Sequence, residues 1–151
     1  MGSNVEVTMP IVGILRSKGA TVETIPPGMP VSAAAQQMAA RRIGCLVVTE
    51  GDALLGLVTE RDVVRAVAHH GANAPMLRVR DIMSTGVPTC APDDDIASLM
   101  RTMTSRRYRH VPVVQGRELI GIVSIGDVVK QRLEDLEVET SVLRDAYRAR
   151  G

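Results

Sequence analysis

The chain contains no phenylalanine and no tryptophan, and its two tyrosines bring the aromatic share to only 1%. Its core must therefore be built from Val, Ile, Leu, Met and Ala, and the hydrophobic share of 45% is enough to build one. Neither sign of charge is in excess. With 18 basic against 17 acidic residues the net charge is +1, so no global field draws the chain to nucleic acid or to an anionic membrane. No helix concentrates Lys or Arg for a DNA groove. No apolar run nears the roughly 20 residues that cross a bilayer, and no basic stretch leads into an apolar one at the N-terminus. The expected location is the cytoplasm. Cys45 and Cys90 stand alone in apolar, strand-like runs without CxxC spacing. They read as small buried hydrophobes in a reducing compartment. Catalytic signatures are missing too: there is no Walker loop, no G-x-G-x-x-G and no G-x-S-x-G. His69 and His70 are neighbours, so on a helix they point about 100° apart and make a poor metal pair. Neither an enzyme nor a structural metal is expected.

What the chain does have is a stretch written twice. GLVTERDVV runs from Gly56 to Val64, and GIVSIGDVV from Gly121 to Val129. Each reads as a buried strand ending at a hydroxyl residue (Thr59, Ser124), with an aspartate three positions later (Asp62, Asp127) opening a helix. Such a tip turns a hydroxyl, a carboxylate and helix N-terminal N–H groups towards one place. A carboxylate offers two acceptor oxygens, which suits the vicinal hydroxyls of a ribose. The same Asp could simply cap its helix, and the two roles are compatible. The repetition extends beyond the tips. Shifted by 65 positions, residues 22–67 lie over 87–132 without a gap, and 14 of 46 positions are identical. Each copy predicts strand, helix, two hairpin strands and helix: Val22–Ile25, a helix from Val31, then Cys45–Thr49 and Leu54–Thr59 around a Glu-Gly-Asp turn. The last helix is expected to turn Val63, Val64 and Val67 inward. Before the first strand, Ile11–Leu15 is a short apolar segment and Arg16–Thr21 a polar loop. One copy is too small to bury its apolar face alone, so the halves should pack sheet against sheet in an α/β (α+β) fold.

A tandem β-α-β-β-α unit ending in G-h-h-T/S-x-x-D resembles the CBS-domain pair, or Bateman module, and is similar to the small stand-alone bacterial CBS-pair proteins. The likeness covers about residues 11–133, with a first repeat over 11–70, a linker over 71–76 and a second repeat over 77–133; residues 1–10 read as a flexible lead and 134–151 as a helical extension. It also implies an adenine nucleotide, with AMP first and ADP, ATP, S-adenosylmethionine or NAD as alternatives. By this resemblance the cleft at Asp127 and Ser124 takes its base slot from Lys18, Gly19, Thr21 and Val22 on one side and Ile43, Gly44 and Cys45 on the other. The mirror cleft at Asp62 and Thr59 uses Thr85, Val87 and Tyr108. Tyr108 stands equally as a stacking platform or as core. Arg109 and His110 replace Gly44 and Cys45 in the second copy, and both bind phosphate oxygens well. Arg61, the counterpart of Gly126, supplies a cation at the first tip.

The chain departs from its own repeat at the C-terminus. From Asp127 no Gly or Pro occurs before Gly151, and residues 127–148 make a helix of about 33 Å. Val129, Leu133, Leu136, Thr140, Leu143 and Tyr147 step by alternate fours and threes, an a/d seam flanked by Glu134, Glu137, Glu139 and Arg144. The seam either lies back on its own module or meets a second copy, and a homodimer is expected. The functional expectation is a regulatory module that binds an adenine nucleotide and signals its occupancy to an effector protein. The alternative is a homodimeric interaction module that binds no ligand.

Overall fold

A computed structural model describes residues 9–19 and 21–150. The expected flexible lead at residues 1–8 lies outside the described residues.

Duplication in sequence becomes duplication in space, with one exchange. Helix α1 (Ile11–Lys18) precedes the first repeat, yet its buried Ile11, Ile14 and Leu15 pack with Ile96, Leu99, Met103, Val111, Val113, Val123 and Val128 of the second. The short helix α4 (Val79–Ile82) precedes the second repeat, and its Val79 packs with Ile25, Ala34, Met38, Leu46, Val48 and Val58 of the first. Backbone bonds fix both crossings in the same way. Ile11 N and Val12 N donate to Asp94 O and Pro92 O, each at 2.9 Å, while Val79 N and Arg80 N donate to Met29 O at 2.8 Å and Pro27 O at 3.0 Å. Helix N-termini need outside acceptors for their first N–H groups. Here the other repeat supplies them.

The first repeat is β1 (Thr24–Ile25), α2 (Val31–Arg41), β2 (Cys45–Glu50), β3 (Ala53–Thr59) and α3 (Glu60–His70). Strand β1 runs parallel to β2, and β2 antiparallel to β3. A 3-10 segment (Gly71–Met76) then leads to α4. The second repeat is α5 (Ile96–Arg106), β4 (His110–Gln115), β5 (Glu118–Ser124) and α6 (Ile125–Arg150). Both hairpins shift register at the equivalent point, Val48/Thr49 and Val113/Val114. Alternation along β2 sends Leu46 and Val48 to the repeat's own core. Cys45 and Val47 go to a third cluster with Leu57, Val22, Leu54, Val87, Leu119 and Ile122. That cluster joins the two hairpin sheets, as the sheet-on-sheet expectation requires.

Several expectations are corrected. Residues 16–18 are not loop; they extend α1. The first strand of the second copy shrinks to one parallel bridge, Cys90 to Val113. The tip helices start before their aspartates, at Glu60 and Ile125. Val64 and Val67 face outward, being 66% and 52% exposed, while Val63 and Ala66 face the core. Both pairs have helical spacing, so periodicity alone could not choose between two adjacent stripes. Helix α6, by contrast, runs unbroken for 26 residues, as the lack of Gly and Pro between Asp127 and Gly151 predicts.

Candidate functional site

Each strand tip closes on itself in a reciprocal cap. Thr59 N donates to Asp62 Oδ2 at 2.8 Å, and Asp62 N returns a bond to Thr59 Oγ1 at 3.3 Å. Thr59 Oγ1 also donates to Asp62 Oδ2 at 3.0 Å. At the second tip Ser124 N donates to Asp127 Oδ2 at 2.8 Å and Asp127 N to Ser124 Oγ at 3.1 Å. This is the capping-box arrangement, built with Asp in place of Glu. The next N–H at each tip is also held: Glu60 N donates to Gly44 O at 3.0 Å and Ile125 N to Arg109 O at 2.8 Å. So capping engages one oxygen of each aspartate, and every contact found for the two carboxylates among the described residues runs through Oδ2.

The tips differ in what surrounds them. Lys18 Nζ reaches Asp127 Oδ2 at 2.6 Å and the carbonyl of Ile122 at 2.9 Å. The lead-in to the second repeat instead pairs its backbone with the first repeat: Ser84 N donates to Leu57 O at 2.8 Å and Leu57 N to Ser84 O at 3.0 Å. Ile122 is the counterpart of Leu57. Helix α1 is one turn longer than α4, and the lysine at its end takes the place of that backbone pairing. Burial alone would raise the Asp127 carboxyl. The bonds from Lys18 and Ser124 outweigh it and hold the group below the ordinary carboxylate value.

His110 holds the sheet position that Cys45 holds in the first copy, opposite Ser124 rather than Thr59. Burial first, then the Lys18 charge, lowers its pKa; Asp127 and Glu60 pull the other way and do not prevail. The imidazole is therefore neutral at pH 7. Its surroundings reveal a residue the sequence reading missed: Glu60, whose Oε1 lies 3.4 Å from where a Cβ on Gly44 would stand. Its counterpart is Ile125, so nothing in the repeat marked it.

The structure thus gathers Lys18, Arg109, His110, Ser124 and Asp127 at the second tip. Gly44 and Cys45 contact the first tip, where Glu60 N donates to Gly44 O and Cys45 pairs with Thr59. Gly19 caps α1 at φ 91°, Thr21 is exposed, and Val22 and Val87 line the joint between sheets. Ile43 and Tyr108 pack against the core of their own repeats. Arg106 covers the Tyr108 ring at 5.7 Å and donates to Gly86 O at 3.1 Å. Arg61 and Thr85 are exposed. The hollow at Lys18 and Asp127 holds only about 40 Å³, far below the roughly 300 Å³ of a small ligand site. Lys18 closes it. A roomier recess of about 780 Å³ lies away from both tips, between Met9, Met100, Arg101 and Arg132. Among the described residues no group of His, Cys, Asp and Glu could hold a metal, and no helix is long and apolar enough to cross a membrane.

The family model for the CBS domain matches the chain twice, over residues 11–69 and 79–134. The crystal structure of a CBS-domain containing protein from Agrobacterium tumefaciens is 42% identical, with a TM-score of 0.79 across 82% of this chain and 99% of that one. The hexameric CBS-CP12 protein from bloom-forming cyanobacteria is 28% identical, with a TM-score of 0.73 across 94% of this chain and 86% of that one. The mitochondrial CBS domain-containing protein CBSX3 of Arabidopsis thaliana is 34% identical over 123 residues. That match takes in 76% of this chain but 60% of the plant protein's length.

Proposed function

The chain belongs to the CBS-domain family of regulatory modules and carries two copies in tandem, and from that premise we propose that it senses an adenine nucleotide and reports occupancy to an effector protein as a homodimer. The observation that carries this reading is the second tip. Asp127 is held by its cap through Oδ2, so its other oxygen is aimed by the cap and available to a ribose. Lys18 and Arg109 stand beside it, with His110 neutral. Two cations, Lys18 and Arg109, match the charge of about −2 on a phosphate monoester, which favours AMP over ATP. Entry requires Lys18 to leave Asp127 and turn its ammonium to the phosphate. The first tip keeps Asp62, Arg61, Thr85 and Val87 but has no counterpart of the Lys18 contact, so it is the weaker site.

Thermal shift with AMP, ADP, ATP, NAD and S-adenosylmethionine tests this. A ligand at 100 times its Kd adds about 2.7 kcal/mol, or a Tm rise of about 5–11 °C for a chain of this size. Asp127→Ala should abolish most of the rise and Asp62→Ala little of it. No rise with any of the five at millimolar concentration would refute the sensor. A second reading, a ligand-independent interaction module, draws on the exposed apolar seam of α6. It predicts a dimer that no nucleotide affects.

A further inference from the structure

Helix α6 carries its module on one face and an apolar seam on another. Val128 and Gln131 are buried and Asp135 is half-buried, which marks the packed face. At about 100° per residue, the seam lies roughly 130° round the helix from that face. Its Val129, Leu133, Leu136, Leu143 and Tyr147 are 49–82% exposed. The remaining seam residue, Thr140, donates its hydroxyl to Leu136 O at 2.9 Å, so it can turn its methyl to the seam. With Leu133, Thr140 and Tyr147 at a and Val129, Leu136 and Leu143 at d, the e positions are Lys130, Glu137 and Arg144, and the g positions Arg132, Glu139 and Ala146.

These flanking charges choose an orientation. In a parallel pair, each g residue faces the e residue five positions on in the other chain. Arg132 then faces Glu137 of the second copy, and Glu139 faces Arg144 of the second copy, so each of these pairs attracts. An antiparallel pair that keeps every layer sets e against e and g against g. Glu137 then meets Glu137, Glu139 meets Glu139, and Lys130 meets Arg144, all repulsive. Sliding the antiparallel pair by a heptad relieves these clashes only by leaving two seam residues without a layer, Val129 and Leu133 or Leu143 and Tyr147. We propose that α6 docks on α6 of a second copy as a parallel two-stranded coil, in register, which puts both Ser124–Asp127 tips at the same end of the coil. This rests on the homodimer of the functional reading and adds its orientation. Val138 and Val142, 65% and 61% exposed, lie outside the seam and stay uncovered.

Disulfide trapping of the full chain without nucleotide tests the orientation. Tyr147→Cys should form a covalent dimer on mild oxidation, since parallel layers set each residue against itself. In the full antiparallel register Tyr147 lies opposite Val129, about 27 Å from its own copy. Cys45 and Cys90 are buried, with thiols pushed up to about 12 by burial first and by the charges of Asp62 and Asp94 after it, so they add no background. Arg132→Glu should weaken the dimer about tenfold in sedimentation, and adding Glu137→Arg should restore it. Val142→Glu, off the seam, should leave it intact. A dimer that Tyr147→Cys fails to trap, or that the double reversal does not restore, overturns the parallel coil and leaves the homodimer standing. A monomer at every concentration overturns both, while nucleotide binding is read separately.

Discussion

Gly56 and Gly121 hold the same place in the two hairpins, yet alanine should harm them very differently. A Cβ on Gly56 would stand 2.0 Å from the carbonyl oxygen of Ser84 and 3.1 Å from its carbon. Those atoms are backbone, pinned by the paired bonds between Leu57 and Ser84. The chain must open there, losing two hydrogen bonds at about 1 kcal/mol each and adding overpacking strain of about 1–3 kcal/mol. Replacing a strand glycine by alanine otherwise gains about 0.5–1 kcal/mol. The net loss for Gly56→Ala is about 2–4 kcal/mol, or about 4–16 °C in Tm. A Cβ on Gly121 would meet Leu15 Cδ2 at 2.6 Å, the movable end of a side chain. A small rotation relieves it, and Gly121→Ala should lose about 1 kcal/mol or less. Urea unfolding of both variants measures the difference directly, and a total stability of about 5–15 kcal/mol keeps both folded in water. Equal losses, or a larger one for Gly121→Ala, would refute the claim that backbone docking of the crossing segment fixes one repeat on the other.

Three further outcomes follow from the second tip and the thiols. The folded-state pKa of Asp127 is lowered, so its contribution to stability is present above the unfolded value near 3.9 and is lost as pH falls through the lower folded value. Lys18→Met should therefore lower Tm by about 1–4 °C at pH 7, and the gap should close once acid protonates Asp127 in both proteins. A gap unchanged in acid would assign the loss to packing instead. The same substitution should raise the NMR titration midpoint of His110, because the Lys18 charge is the second cause, after burial, that lowers it; an unmoved midpoint would contradict that contact. Cys45 and Cys90, with thiols pushed up to about 12, should react with a thiol reagent at pH 8 only as fast as the protein unfolds. Labelling within seconds would show that they are not enclosed.

The duplication was legible because it is written in residue identities, and so were the hairpins, whose alternation and glycine turns are local. The exchange of α1 and α4 was not. Which core receives Ile11 or Val79 depends on carbonyls at Pro92, Asp94, Pro27 and Met29, and no local pattern encodes that partnership. At the tips, Asp62 and Asp127 stood out through repetition and hydroxyl spacing. Lys18 was named only as part of a base slot, because its reach to Asp127 depends on the extra helical turn in α1 that the sequence presents as polar loop. Glu60 was invisible for the opposite reason: it appears in one copy only, and repetition was the signal being read.

The same comparison shows where the two copies differ. Both tips begin a helix with the same cap, so a change at either one acts first on helix N-terminal N–H groups. Helix α3 ends after 11 residues at His70, where Gly71 turns the chain into the linker. Helix α6 runs on for 26 residues, about 39 Å, most of it beyond the module. On the proposed sensor reading, a displacement of the Ser124–Asp127 cap would act on the helix that carries the exposed seam, whereas one at Thr59–Asp62 would act on a helix that ends at the linker. Lys18 joins the same cap to α1 and so to the core around Val128, only one residue from Val129, where the seam begins. The longer α1 and the longer α6, the two departures from perfect repetition, therefore meet at one carboxylate. If occupancy has an output in this chain, it leaves through the second copy.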